Sequence, residues 1–115
     1  MIKEASDIQK VTKEKVCGGE GSVDFIYYYD EEDLLGRGRL YGLAILEPGS
    51  SIGIHTHEGE DESYIIYEGE GLYNDNGEEV VIGPGTLTLC KDAESHGIKN
   101  IGEGPLRIGL LILKT

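Results

Sequence analysis

HTHEGEDESYIIYEG, residues 55–69, is the stretch on which the reading of this chain turns. Two histidines stand one residue apart, four acids follow within five residues, and an alternating apolar run closes on glycine. On a strand, residues i and i+2 share a face about 7 Å apart. His55 and His57 therefore point the same way, and the EGED turn sets Glu62 opposite them at the start of the next strand. Neutral imidazoles suit most divalent transition metals, so the pairing points to a cation. The apolar SIGI at 51–54 argues the same way, because it would otherwise lead two unpartnered polar groups into a buried setting.

Outward from this stretch the chain is a series of short apolar runs between turns. SVDFIYYY (22–29), RLYGLAILE (39–47), SIGIHTH (51–57), ESYIIYEG (62–69) and GLYND (71–75) read as strands. EEVVIG (78–83), GTLTLCK (85–91), SHGIKNI (95–101) and PLRIGLLIL (105–113) continue the set. Asn76-Gly77 marks a two-residue hairpin turn. DEEDLLG (30–36) reads as one helical turn, capped by Asp30 and stopped by Gly36. Nine short strands with no long helix predict an all-β, antiparallel sandwich or barrel. Residues 1–21 form a polar N-terminal arm, expected to add an edge strand or lie on the barrel, and 22–115 form the barrel domain. CGGEG (17–21) is a turn cluster, since no Lys-Ser/Thr follows it as in a phosphate loop.

The formal net charge of −12 argues against nucleic acid and against an anionic membrane surface as partners. MIKEASDIQK has no apolar signal core and no run is long enough to span a bilayer, so a cytoplasmic protein is expected. Cys17 and Cys90 form no CxxC pair and read as reduced thiols, with Cys90 a small core residue beside Leu87 and Leu89.

The stretch resembles the first motif of the cupins: Gly, five residues, His-x-His, three or four residues, Glu, six residues, Gly. Gly49, His55, His57, Glu62 and Gly69 occupy those positions. GTLTLCKDAESHGIKN is similar to the second motif, with Gly85, His96 and Asn100 in place. Two positions depart from it, both in the turn before His96: Lys91 where proline is usual and Ala93 where glycine is. The resemblance implies a double-stranded β-helix, or jelly-roll barrel, with His55, His57, Glu62 and His96 around one metal. All three histidines of the chain fall on ligand positions. Three imidazoles and a carboxylate leave coordination positions free, the arrangement of a reactive site. Family precedent favours Mn or Fe, with Zn, Ni, Co or Cu also suited to these donors.

Other residues carry weaker expectations. Glu58, Glu60 and Asp61 read as a solvated turn, with a supporting acid behind a ligand as the rival reading. Tyr64 and Ile66 should line the cavity beyond Glu62, and Arg107 either bridges outward or offers a fork to a substrate carboxylate. Alternation sends Ile54, Ile65 and Tyr67 outward as one apolar patch, which predicts a homodimer. The functional expectation is a metal-dependent enzyme acting on a small anionic or oxygenated metabolite: a decarboxylase, isomerase or dioxygenase. An oxalate-like carboxylate is favoured because the chain resembles the small oxalate decarboxylase-like cupins. The alternatives are a binding or sensing module that leaves its ligand unchanged, and a barrel whose metal only stabilises it.

Overall fold

The computed structural model describes residues 1–115 as ten strands, one α-helical turn and two short 3₁₀ turns, Ala5–Asp7 and Val16–Gly18. The strands are β1 (Gln9–Glu14), β2 (Ser22–Tyr27), β3 (Gly38–Leu46), β4 (Ser51–Thr56) and β5 (Glu60–Glu68). They continue as β6 (Gly71–Asp75), β7 (Glu78–Ile82), β8 (Leu87–Cys90), β9 (Ser95–Asn100) and β10 (Leu106–Lys114). All pairings are antiparallel, in a six-stranded sheet of order β1-β2-β3-β10-β5-β8 and a four-stranded sheet of order β4-β9-β6-β7. This is the jelly-roll arrangement. The helical turn α1 (Glu31–Leu34) begins where Asp30 accepts from the Asp33 amide, as its acidic first turn requires. The β6–β7 hairpin turns through Asn76 (φ 51°) and Gly77 (φ 96°), both in the left-handed region that a type I′ turn demands.

The most apolar runs, β3 and β10, lie side by side in the middle of the larger sheet, where both neighbours and the facing sheet cover them. Val23, Leu46, Ile66, Leu106 and Ile108 project inward from the six-stranded sheet and meet Ile52, Tyr73, Ile82 and Ile98 of the other. The arm supplies β1, which pairs with β2 as an edge strand, and the short turn Val16–Gly18 then lies against β4. Asn100 sits at the closed end of the core. Its amide nitrogen donates to the carbonyls of Leu46 (2.8 Å) and Gly104 (2.9 Å), and its oxygen accepts from Gly102 N–H (2.9 Å). A buried amide that satisfies three backbone groups fixes the turn from β9 into β10.

Three sequence expectations need correction. The chain between β4 and β5 does not fold back as a hairpin; it crosses from one sheet to the other. Glu62 consequently faces the histidines across the barrel interior. For the same reason the outward residues do not form one patch: Ile54 lies on the outer face of the small sheet, Ile65 and Tyr67 on that of the large one. Strict alternation along β4 also fails. Ile52 and His55 both face inward because the register shifts between them, a bulge that adds one residue to the strand. Gly53 sits in that bulge, where a Cβ would lie 2.1 Å from the Cys17 carbonyl oxygen, so only glycine fits.

Ala93, the departure from the family's glycine, holds φ at +72° while its N–H donates to the His57 carbonyl (2.7 Å). An L-residue in that region costs about 1–2 kcal/mol, against roughly 0.5–1 kcal/mol of extra chain entropy for glycine. Ala93→Gly should therefore stabilise the fold by about 0.5–1 kcal/mol. A denaturant midpoint that stays put or falls would show that the turn carries no strain.

Candidate metal centre

The three histidines reach the centre from the small sheet, His55 on β4, His57 just past its end and His96 opposite His55 on β9. Glu62 reaches it from β5 in the large sheet. Glu62 Oε1 lies 2.9 Å from His57 Nε2, 2.9 Å from His96 Nε2 and 3.5 Å from His55 Nε2, and the two nearer imidazole nitrogens are 3.1 Å apart. One ligand atom from each of the four residues falls within 4.8 Å of every other. Bonds of about 2.1 Å set at right angles around an ion separate neighbouring donors by about 3 Å. The spacing of the donor atoms fits such an ion.

The far side of each ring decides the chemistry of the near side. His55 Nδ1–H donates to the Gly53 carbonyl (2.7 Å), and His57 Nδ1–H donates to Glu60 Oε1 (2.9 Å). Neither partner can donate, so in the neutral rings the proton sits on Nδ1 and the Nε2 lone pair faces Glu62. Lone pairs directed at a carboxylate oxygen repel it unless a cation stands between them. His96 Nδ1 is held by the Tyr73 hydroxyl (2.8 Å), and burial pushes that phenol up to about 12, so it stays protonated. Second partners of this kind orient metal-binding histidines and set their tautomer. The donor set therefore fits a divalent transition metal, which would supply positive charge and open coordination positions.

The acid–base directions describe the protonated rings, in which Nε2–H faces Glu62. Burial drives the Glu62 carboxyl up, but hydrogen bonds from His55, His57 and His96 outweigh it and hold the group far below the usual carboxylate range. The hydrogen bond to Glu62 raises His57, whereas burial lowers His96.

A cavity of about 260 Å³ opens beside these ligands, with His55, His57 and Glu62 in its wall. Tyr64 lines it as expected, fully buried and stacked on His96 with ring centroids 4.7 Å apart. Ile66 does not; it lies two residues deeper, packed into the core. Nor does Arg107, which stands on the outer face of the large sheet with Nε 3.9 Å from Glu68. Its register on β10 turns it away from the interior, and no fork for a substrate comes from it. Glu60 is no solvated acid: it binds His57 on one side and takes a two-pronged contact from Arg39 on the other, at 2.8 and 3.1 Å. Asp61 accepts from the Asp92 amide, and Glu58 is exposed. Sequence reasoning missed Tyr73, Arg39 and Lys13. For Tyr73 a signal existed, since an inward tyrosine on GLYND needs a partner for its hydroxyl.

A model of the cupin domain matches residues 42–113, which hold the whole donor set. The chain belongs to the cupin family. It is 36% identical over 113 residues to the oxalate-binding protein of Thermotoga maritima, covering 98% of this cupin and 93% of that protein. Among solved structures it matches a predicted oxalate decarboxylase from Thermotoga maritima with a TM-score of 0.94 and 36% identity, over 100% of both chains. A polyketide cyclase of Streptomyces resistomycificus shares the fold at 20% identity, with a TM-score of 0.75 over 99% of this chain and 80% of the other.

Replacing His57 or His96 by Ala should lower metal affinity at least about tenfold, because each supplies one of four donors. Metal content measured after dialysis against a weak chelator tests this, and a double variant that keeps a full equivalent contradicts the assignment. Protons compete for the same lone pairs, so affinity should fall as pH drops. With His57 raised by Glu62, the fall should begin above the ordinary histidine value of about 6.5.

Proposed function

We propose that this cupin binds a divalent transition metal, Mn or Fe in the first instance, through His55, His57, Glu62 and His96, and through the metal a small carboxylate-bearing metabolite. The observation that carries the reading is the convergence of three Nε2 atoms, those of neutral His55 and His57 bearing lone pairs, on a buried carboxylate beside a cavity large enough for an organic anion. The likeness to an oxalate-binding protein supports a carboxylate of that kind. The metal would act as a Lewis acid that chelates the anion.

Binding without turnover is the form that the likeness to an oxalate-binding protein favours. Decarboxylation needs a proton delivered to the carbon that loses carbon dioxide, and Glu62 is the one acid in the cavity wall. The Tyr64 phenol is driven well up by burial, and the Cys17 thiol is raised by burial and Glu62. Arg39 is committed to Glu60. A catalytic reading, as decarboxylase, isomerase or dioxygenase, rests on the open coordination positions. Isothermal titration of metal-loaded and metal-free protein with oxalate tests the proposal. Binding should require metal, and oxalate should be recovered intact; metal-independent binding contradicts the site, and product formation replaces binding with catalysis.

A cytoplasmic setting belongs to the same reading, supported by two free thiols, Cys17 and Cys90. So does a homodimer through the outer face of the large sheet. Tyr67 (62% exposed), Leu87 (65%) and Leu89 (49%) form an apolar surface there around Ile65, where an antiparallel sheet facing water is normally polar. Light scattering should give a dimer for the wild type and a monomer for Ile65→Glu. A wild type that is monomeric at micromolar concentration contradicts it.

A further inference from the structure

LTLC at 87–90 forms β8, the edge strand of the large sheet, and alternation sends Leu87 and Leu89 outward and Thr88 and Cys90 inward. A threonine turned into a barrel brings a hydroxyl that must find a partner there. Thr88 lies directly opposite buried Tyr64, and its Oγ1 exposes less than 1 Å². Solvent therefore does not reach it. It is the one buried side-chain oxygen or nitrogen of the chain that makes no hydrogen bond.

The Tyr73 hydroxyl stands beside it. β7 and β8 are the edge strands of the two sheets, and Tyr73, Ile82 and Thr88 wall the crevice between them. Burial raises the Tyr73 phenol, and the Thr88 hydroxyl is the side chain that draws it back down. Tyr73 Oη has a single hydrogen-bond partner, His96 Nδ1 at 2.8 Å. Neither Tyr73 nor Thr88 lines the cavity beside the metal ligands. They approach His96 from behind, on the side of the ring opposite Nε2 and Glu62.

The direction of the protons along this row decides what Thr88 does. A metal ion on His96 Nε2 requires the ring proton on Nδ1. Nδ1–H then donates to Tyr73 Oη, so the phenol's own proton cannot point at the ring and needs an acceptor elsewhere. Asp75, in the same crevice wall, is exposed and accepts from Asn76. In the opposite tautomer Nε2–H faces Glu62 Oε1, Tyr73 O–H donates to Nδ1, and no further acceptor is needed. An acceptor beside the phenol therefore favours the tautomer that can bind metal.

Building on the metal reading above, we propose that Thr88 is a positioning residue for the metal centre: its Oγ1 accepts the Tyr73 hydroxyl proton and so lets His96 present the Nε2 lone pair. Thr88 touches neither the metal nor its ligand. It acts through Tyr73 and His96.

The test measures Mn²⁺ affinity of the full chain by competition with a chelator of known affinity. Thr88→Val keeps the side chain's shape and removes the acceptor. It should weaken Mn²⁺ binding about tenfold, as loss of a partner behind a ligand does. Thr88→Ser, which keeps the hydroxyl, should retain most of the affinity. A double-mutant cycle separates this role from packing. In a Tyr73→Phe chain no phenol proton needs the acceptor, so adding Thr88→Val should cost nothing further. Wild-type affinity in Thr88→Val overturns the inference and leaves the metal reading standing. So does a Thr88→Ser variant as weak as Thr88→Val, or a Thr88→Val loss that is as large in the Tyr73→Phe chain. A wild type that takes up no Mn²⁺ overturns the choice of Mn and this inference together.

Discussion

Glu62 is the constraint around which the interior is arranged. It is the one carboxylate in the cavity wall, it is buried, and it projects from one sheet while all three histidines project from the other. An ionised carboxylate in a core is costly unless charge and hydrogen bonds compensate it on the spot. Here the compensation must come from the opposite sheet, so the polar centre joins the two layers that the apolar core also joins. The bulge in β4 follows from this demand. Without the extra residue, Ile52 and His55 could not both face inward, and the strand would give up either core packing or a ligand.

Around that centre the support differs for each ring. A backbone carbonyl in the bulge holds His55, a carboxylate pinned by Arg39 holds His57, and a tyrosine hydroxyl holds His96. His57, held between two carboxylates, is raised, and His96, the most enclosed, is lowered. Rigid rings of unequal basicity suit a site that must keep its shape whether a proton or a metal fills it.

Much of this was legible in the sequence because strand periodicity and motif spacing are local properties. Nine runs of alternating or continuous apolar residues, the Asn76-Gly77 turn and the Asp30 cap each depend on a few neighbouring residues, and each is found where it was expected. The same holds for the assembly of His55, His57, Glu62 and His96, which motif spacing implied and the folded chain brings together. What failed was non-local. Whether β4 and β5 share a sheet is set by how the barrel closes, and it decided whether Ile54 and Ile65 lie on one surface. The bulge at Gly53 depends on the approach of Cys17, more than thirty residues away in the chain. Arg107 sits in an apolar run whose inward and outward faces look alike in sequence, and only its register on β10 distinguishes them. Glu60 reads as one more acid in an acidic turn until Arg39 is brought against it.

The metal and the proton are alternative ways of neutralising Glu62, and the directions of the shifts say when each acts. Glu62 is depressed on folding, so its contribution to stability is present above the ordinary carboxyl value near 4.5 and is lost as pH falls through the folded value. His57 is raised, so its contribution is present below the ordinary imidazole value near 6.5 and is lost as pH rises through the folded value. Between those limits an imidazolium facing Glu62 satisfies the centre without metal. Above them the imidazolium is gone, the Nε2 lone pairs turn on the carboxylate, and the centre becomes one that only a cation can satisfy. A metal held by these residues would not be an addition to a finished core. It would take the place of the proton that Glu62 helps His57 to hold.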